Sequence, residues 1–256
     1  MKKIISIVLG AAVVLSAAGC SKKASVKIDS AADLEGKVIG VQAGTTGEIY
    51  VEDVKDATVK SFKTGIDAAL ALKNGAIDAI VLDELPAKEI VKRNNSLTIV
   101  NDNFAAEEYA IAVRKGNTEL LDSINATISR IKAVGTYENL INAFMPVDGN
   151  IVIPEVAGIE SKDVVKMGTN ASFPPFEYTE GTKVVGFDAT LSTMIANDYG
   201  KALQIVDMNF DGLIAALQSN AIDFIAAGMT ATDERRQNVD FSEPYYKSNQ
   251  VIIIRK

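Results

Sequence analysis

The chain contains no histidine and no tryptophan, and one cysteine among 256 residues. Without histidine it can build neither a serine–histidine triad nor an imidazole metal site. A single cysteine forms no internal disulfide. Lysine and arginine total 26 against 33 acidic residues, for a net charge of −7. No basic stripe interrupts that acidity, so nucleic acid is not an expected partner. Proline is sparse, at six, and no low-complexity tract is present. What remains is an ordinary soluble α/β composition, 48% hydrophobic and 23% charged, long enough for one large domain or two small ones.

The first twenty residues stand apart. Lys2 and Lys3 precede an apolar run over 4–18, followed by Gly19-Cys20 and Ser21-Lys22-Lys23. These are the three parts of a secretory signal. The run is shorter than the about 20 residues of a membrane span, which argues against the alternative of a retained anchor helix. Leu15-Ser16-Ala17-Ala18-Gly19-Cys20 resembles a bacterial lipobox, with the small Ala17 where an apolar residue is usual. That resemblance implies a signal peptide over 1–19, lipidation at Cys20, a lipidated tether over 20–29, and export to the periplasm or cell surface. A bystander cysteine is the alternative. Loss of Lys2 and Lys3 with the leader takes the net charge from −7 to −9. A lipidated Cys20 leaves no thiol for catalysis.

Beyond the tether, strands and helices alternate. Lys37-Val38-Ile39-Gly40-Val41 reads as a buried parallel strand. Gly44-Thr45-Thr46-Gly47-Glu48 is a Gly-rich turn opening a helix with Ile49, Tyr50 and Val54. Such a turn is either an anion cradle at a helix start or a plain N-cap. Ile66 to Leu72 reads as helix ending at Asn74-Gly75, and Ala76 to Leu82 as a second strand, which delivers Asp83-Glu84 to its carboxyl end. Pro86 suits the first turn of a following helix. Leu97 to Val100 and Tyr109 to Val113 read as strands, and Thr118 to Lys132 as a helix with Leu121, Ile124, Ile128 and Ile131 at helical spacing. A short helix follows from Tyr137 to Phe144. The stretch 146–163, with Pro146, Gly149, Pro154 and Gly158, is a linker. After it come a strand from Val164 to Gly168, helices over Leu191 to Tyr199 and Gly212 to Leu217, a strand from Ala221 to Ala226, and a final strand from Gln250 to Ile254.

The eight residues Ala71 to Asp78 line up with Ala216 to Asp223, 145 positions later. Each copy is a helix end, a cap and a strand start, which predicts two lobes of like topology. In open α/β sheets, ligands sit outside the carboxyl ends of strands. Asp83 and Gly228-Met229-Thr230 are thereby expected to face one cleft.

A free amino acid presents a carboxylate and an ammonium. A site for it needs a guanidinium fork and an anion. Arg235, just past a strand end and behind a capping Thr232, supplies the first, and Asp83 the second. Taken singly, each has a plainer role: Arg235 in a surface ion pair, Asp83 as an N-cap, Phe173 and Phe210 in the core.

The order of motifs adds to this. Asn170-Ala171-Ser172-Phe173-Pro174-Pro175-Phe176-Glu177-Tyr178, Val185-Gly186-Phe187-Asp188, Phe210-Asp211-Gly212-Leu213, Gly228-Met229-Thr230-Ala231-Thr232-Asp233-Glu234-Arg235 and Phe241-Ser242-Glu243-Pro244-Tyr245-Tyr246 resemble the first lobe of the polar amino-acid-binding proteins of ABC importers. Asp33 to Thr46 and Asp78 to Glu84 resemble the second lobe of the same family, the bacterial extracellular solute-binding proteins of family 3. The resemblance implies a two-lobe α/β fold of the type II periplasmic-binding-protein kind, each lobe a mixed sheet flanked by helices. The lobes occur here in reversed order, so the chain reads as a circular permutant. Residues 30–109 would form the family's second lobe and 110–256 its first, with 147–163 as the permutation linker. A single crossover between lobes is expected near Glu107 to Ala110, and Lys256 is expected near residues 26–31.

By the same resemblance Arg235 would clamp the ligand carboxylate, helped by Thr230, the Gly228 backbone, Thr46 and Thr45. Asp83 would take the ammonium, and Phe173 and Phe210 would sandwich the side chain. Asn170, Glu177, Gln42 and Leu82 sit where the family varies with its ligand, and Met229 adds a neutral wall. The implied protein is monomeric, uses no metal or cofactor, and closes on a polar or cationic amino acid for an ABC permease. Two other readings stay open. One is an amino-acid sensor for a membrane receptor. The other is a cleft dehydratase with Glu177 or Glu84 as general acid.

Overall fold

Strand and helix alternate from the start of the computed structural model, which describes residues 27–256. The signal peptide 1–19, Cys20 and the tether up to residue 26 lie outside the described residues. The first unit runs β1 (Val38–Gln42), α1 (Thr46–Glu52), β2 (Thr58–Phe62), α2 (Gly65–Lys73), β3 (Ala79–Asp83), α3 (Glu84–Lys92) and β4 (Leu97–Tyr109). The second runs β5 (Ala112–Arg114), α4 (Thr118–Ala133), α5 (Thr136–Phe144), β6 (Val164–Thr169), β7 (Ser172–Phe173), β8 (Glu177–Glu180), β9 (Lys183–Val185), α6 (Phe187–Asp198), β10 (Ala202–Asp207), α7 (Leu213–Gln218), β11 (Phe224–Ile225), α8 (Asp233–Asn238) and β12 (Val239–Phe241). The last strand is β13 (Tyr246–Arg255).

Local chemistry sets the helix ends. Thr64 caps α2 by accepting from the Asp67 amide at 3.1 Å, and Gly75 leaves the helix in the left-handed region at φ +74°. Asp83 stands at the N-cap of α3, with Pro86 buried in its first turn. In α4 the buried residues Leu120, Ile124, Ile128 and Ile131 recur at helical spacing and face the core.

Two five-stranded sheets result. One has the order β2-β1-β3-β13-β4 and the other β10-β6-β11-β5-β12. In each, three parallel strands adjoin two antiparallel ones. A small sheet, β7-β8-β9, sits beside the second.

The repeat read in the sequence extends to contacts. The Asp78 carboxylate accepts from the Val38 amide at 3.0 Å, and the Asp223 carboxylate accepts from the Lys166 amide at 2.8 Å. A Cβ on Gly40 would lie 2.4 Å from Ile77 Cδ1, and one on Gly168 would lie 2.2 Å from Ile222 Cδ1. Arg255 donates to the carbonyls of Leu72 and Ile77, while Arg114 donates to that of Ile222. The pairs β1/β6, β3/β11, β13/β5 and β4/β12 therefore correspond.

Three expectations are corrected here. Tyr109 to Val113 is not one strand: β4 ends at Tyr109, and β5 begins at Ala112 in the other sheet. The final strand does not belong with 110–256, because β13 lies between β3 and β4 in the first sheet. Two crossovers thus join the lobes, at 110–111 and 242–245, rather than one. An apolar run shows that a strand is buried on both faces but not between which neighbours, so β13 was assignable only from the pairing. The edge strands β2 and β10 were not read at all, since their residues are largely half-exposed and carry no long apolar run.

Candidate functional site

The carboxyl ends of β1 and β3 face those of β6 and β11 across a cleft between the lobes. Gln42 ends β1 and Asn170 follows β6, and they meet directly: Gln42 Nε2 donates to Asn170 Oδ1 at 2.9 Å, both buried. Thr45, Thr46, Asp83, Phe173, Glu177, Phe210, Gly228, Thr230 and Arg235 complete the wall around them. The free volume among these side chains is about 10 Å³, room for about one water. The cleft is shut, and a molecule of amino-acid size enters only when the lobes part.

Arg235 is 7% exposed. Thr232 caps α8 by accepting from the Arg235 amide at 3.2 Å, which turns the side chain into the cleft. Its guanidinium donates to Thr230 O and, across the cleft, to Gly44 O, both at 2.8 Å, and lies 5.4 Å from the Phe210 ring centre. Burial pulls its pKa down, and the charges of Glu107 and Asp83 oppose that. Gly44 has φ +75° and a Cβ there would meet Asp211 at 3.0 Å, so the position needs glycine for both conformation and space. Thr45 closes the turn by donating to Gln42 O at 2.8 Å.

Two pairs of buried carboxyls lie in the lobes, one in each. Asp83 accepts from the Tyr109 hydroxyl, which also lies 3.0 Å from Ser248 Oγ. Burial, then the nearby Glu107 charge, pushes the Asp83 pKa up to about 8. Glu107 itself accepts from Gln250 Nε2 at 3.0 Å. In the second pair, Asp188 accepts from the Tyr245 hydroxyl at 2.7 Å and the Gly228 amide at 3.0 Å. Burial raises its pKa to about 6. Burial and the Asp188 charge push the Glu177 carboxyl well above the usual range. Neither Glu177 oxygen has a donor among the described residues. A neutral Glu177 can donate to Asp188, whose Oδ1 is otherwise unpaired.

Leu82 and Met229, expected at the ligand, do not line this cavity. Successive residues of a strand point to opposite faces, so Asp83 in the cleft sends Leu82 away from it. Leu82 packs against the Gly65 backbone and lines a separate cavity of about 300 Å³ between α2 and α3. Met229 lies in the apolar cluster with Phe210 and Leu213. Glu84, the other general-acid candidate, does not line this cavity, and its hydrogen bond from Lys88 holds its carboxyl below the usual range. Sequence reasoning missed Glu107, Gln250 and Tyr109, which the two hinge strands carry. A period-two reading of 105–109 would have put Glu107 and Tyr109 on one face.

Residues 165–256 match the model of the bacterial extracellular solute-binding proteins, family 3. The Arginine-binding extracellular protein ArtP of Bacillus subtilis is 45% identical over 101 residues, 39% of this chain and 40% of that protein. A probable histidine-binding protein of Campylobacter jejuni is 47% identical over 89 residues, 35% of each chain. Among solved structures, the arginine-bound form of domain 1 from TmArgBP is 41% identical over 40% of this chain and 87% of that one, with a TM-score of 0.33. This chain spans about a third to a half of the length of the curated relatives it matches.

Proposed function

We propose that this chain, whose residues 165–256 match the bacterial extracellular solute-binding proteins of family 3, captures a free amino acid between its lobes. The observation that carries the reading is the buried Arg235 guanidinium in one cavity with Asp83, the two supplied by different lobes. Arg235 takes the ligand carboxylate, with the hydroxyls of Thr230 and Thr46 adding donors and Thr45 holding the turn through Gln42 O. Asp83, ionised, takes the ammonium. Phe173 and Phe210 flank the side chain. Two buried carboxyls, Asp83 and Glu177, line the cavity, and Glu177 has oxygens free for a donor, so a cationic side chain fits best. Each lobe holds half of the ligand, so binding favours the closed state through contacts present only there.

Export, lipidation at Cys20, a monomeric state and delivery to an ABC permease complete the reading, on the signal-like residues 1–20 and the family. So does the circular permutation. In its support, Ile254 packs on the apolar cluster that holds Ile28, with Ala31 against it too. A raised, buried carboxyl such as Glu177 is also what a general acid needs, and this keeps the dehydratase reading in the test.

Calorimetry against the twenty amino acids tests the proposal. Arginine, lysine or histidine should bind most tightly, and mass spectrometry should recover the ligand unchanged. Failure of every amino acid to bind would overturn it, and turnover of a bound ligand would replace it with the enzyme.

A further inference from the structure

The linker between α5 and β6 joins two elements of the second lobe, yet it also reaches the first. Pro146 to Gly149 forms a tight turn, closed by the Gly149 amide donating to Pro146 O at 3.0 Å. Asp148 reinforces it by accepting from the Asn150 amide at 3.0 Å, and Gly149 takes φ +72°. The chain is then folded back on α5 by the Val152 amide donating to Ala143 O at 3.0 Å. The turn is therefore rigid and fixed to the second lobe.

What it presents outward is the Gly149 carbonyl, which accepts from Lys92 Nζ at 3.1 Å. Lys92 belongs to α3 of the first lobe. The lysine charge also acts on Asp148, lowering its carboxyl pKa after the Asn150 hydrogen bonds. Leu85 and Lys88 share the α3 face of Lys92, and with Phe144, Met145, Pro146, Ile151 and Pro175 they wall a groove of about 420 Å³ between the lobes. At 1.5 Å per residue, the nine residues from Asp83 to Lys92 place this contact about 13 Å along α3 from the ligand site. One rigid helix thus carries the cleft carboxylate at one end and the linker contact at the other.

We propose that the turn at 146–149 is an inter-lobe latch, a hydrogen-bonded strap that holds the closed state from outside the cleft and must release Lys92 before the lobes part. It acts whether or not ligand is present, because nothing in it touches the cavity. A solvent-exposed, charge-assisted contact of this kind shifts an equilibrium by about two- to fivefold.

The test is hydrogen exchange on the ligand-free full chain. Its subject is the opening motion, so the result stands apart from whether any amino acid binds. Lys92→Met keeps the apolar stem and removes the donor. The amides of 44–47 and 170–173, which opening exposes, should exchange about two- to fivefold faster in this variant. Those of Ile80 to Leu82 in β3 should not change, and Lys92→Arg should restore the wild-type rates. Unchanged exchange at the cleft, or equal acceleration in β3, would overturn the latch.

Discussion

The two lobes share a scaffold and divide the chemistry. At matching places both use an aspartate that ties its strand to the neighbouring one (Asp78, Asp223), a glycine under an isoleucine (Gly40, Gly168) and an arginine on helix-to-strand carbonyls (Arg255, Arg114). The lobes diverge just past the first strand. After β1 the chain makes a tight turn into α1 and offers Thr45 and Thr46; after β6 it makes the β7–β8 hairpin and offers Phe173 and Glu177. Gln42 and Asn170, the matching strand-end residues, bond to each other across the cleft. Repetition thus supplies geometry, and what differs at the strand ends supplies charge: a guanidinium from one lobe, a carboxyl from the other.

The largest expected effect comes from breaking that division. Arg235→Ala should weaken amino-acid binding by at least about 2 kcal/mol, roughly thirtyfold or more, because the ligand carboxylate would be buried without its partner. Titration calorimetry checks this, and unchanged affinity would remove Arg235 from the site.

Next come the paired glycines. Gly40→Ala and Gly168→Ala each push a methyl into a buried isoleucine, and each should cost about 1–3 kcal/mol of stability by overpacking. Urea unfolding of the two variants should give similar losses. A large loss in one and none in the other would break the structural equivalence.

The pH dependence separates the lobes. Below about 8 the free protein keeps Asp83 protonated, whereas an ammonium ligand needs it ionised. Capture should release a proton, and affinity should rise with pH by up to about tenfold per unit, levelling above pH 8. Stability of the ligand-free chain runs the other way. The ordinary aspartate value is 3.8, so the stability from this raised group is full below that pH and is lost as pH climbs through 8. Calorimetry in buffers of different ionisation enthalpy reads the proton directly. Asp83→Asn should abolish that proton release while leaving the raised Asp188 of the other lobe in place.

The smallest effect sharpens the comparison further. Arg255→Met and Arg114→Met should each cost about 1 kcal/mol, with Arg255 the larger because it serves two carbonyls, at 2.6 and 2.7 Å, against one at 2.9 Å. Thermal unfolding of the two variants would show the order.

Much of this was legible in the chain. The helix caps at Asn74-Gly75 and Thr232 are local, as are the apolar strand runs at 38–41 and 79–82. The short repeat around Asp78 and Asp223 announced two like lobes before any pairing was seen. Most expected site residues do meet in one cavity, because strand ends and the turns after them follow from sequence order. Leu82 fell outside it because a neighbour on a strand points the other way, and Met229 because it packs into the apolar cluster with Phe210 and Leu213.

Composition and local pattern by themselves determined an acidic α/β chain with a repeated helix–strand unit and with cleft residues at strand ends. Those features depend on neighbours within a few positions, where propensity, capping and apolar period act. Only the tertiary structure decided that β13 inserts beside β3, that two segments cross the hinge, and that Glu107 and Gln250 come to lie behind Asp83. Those are pairings between segments up to about 175 positions apart. A strand's apolar faces record that it is buried, while the choice of partner is settled by which long-range contacts can all be satisfied at once.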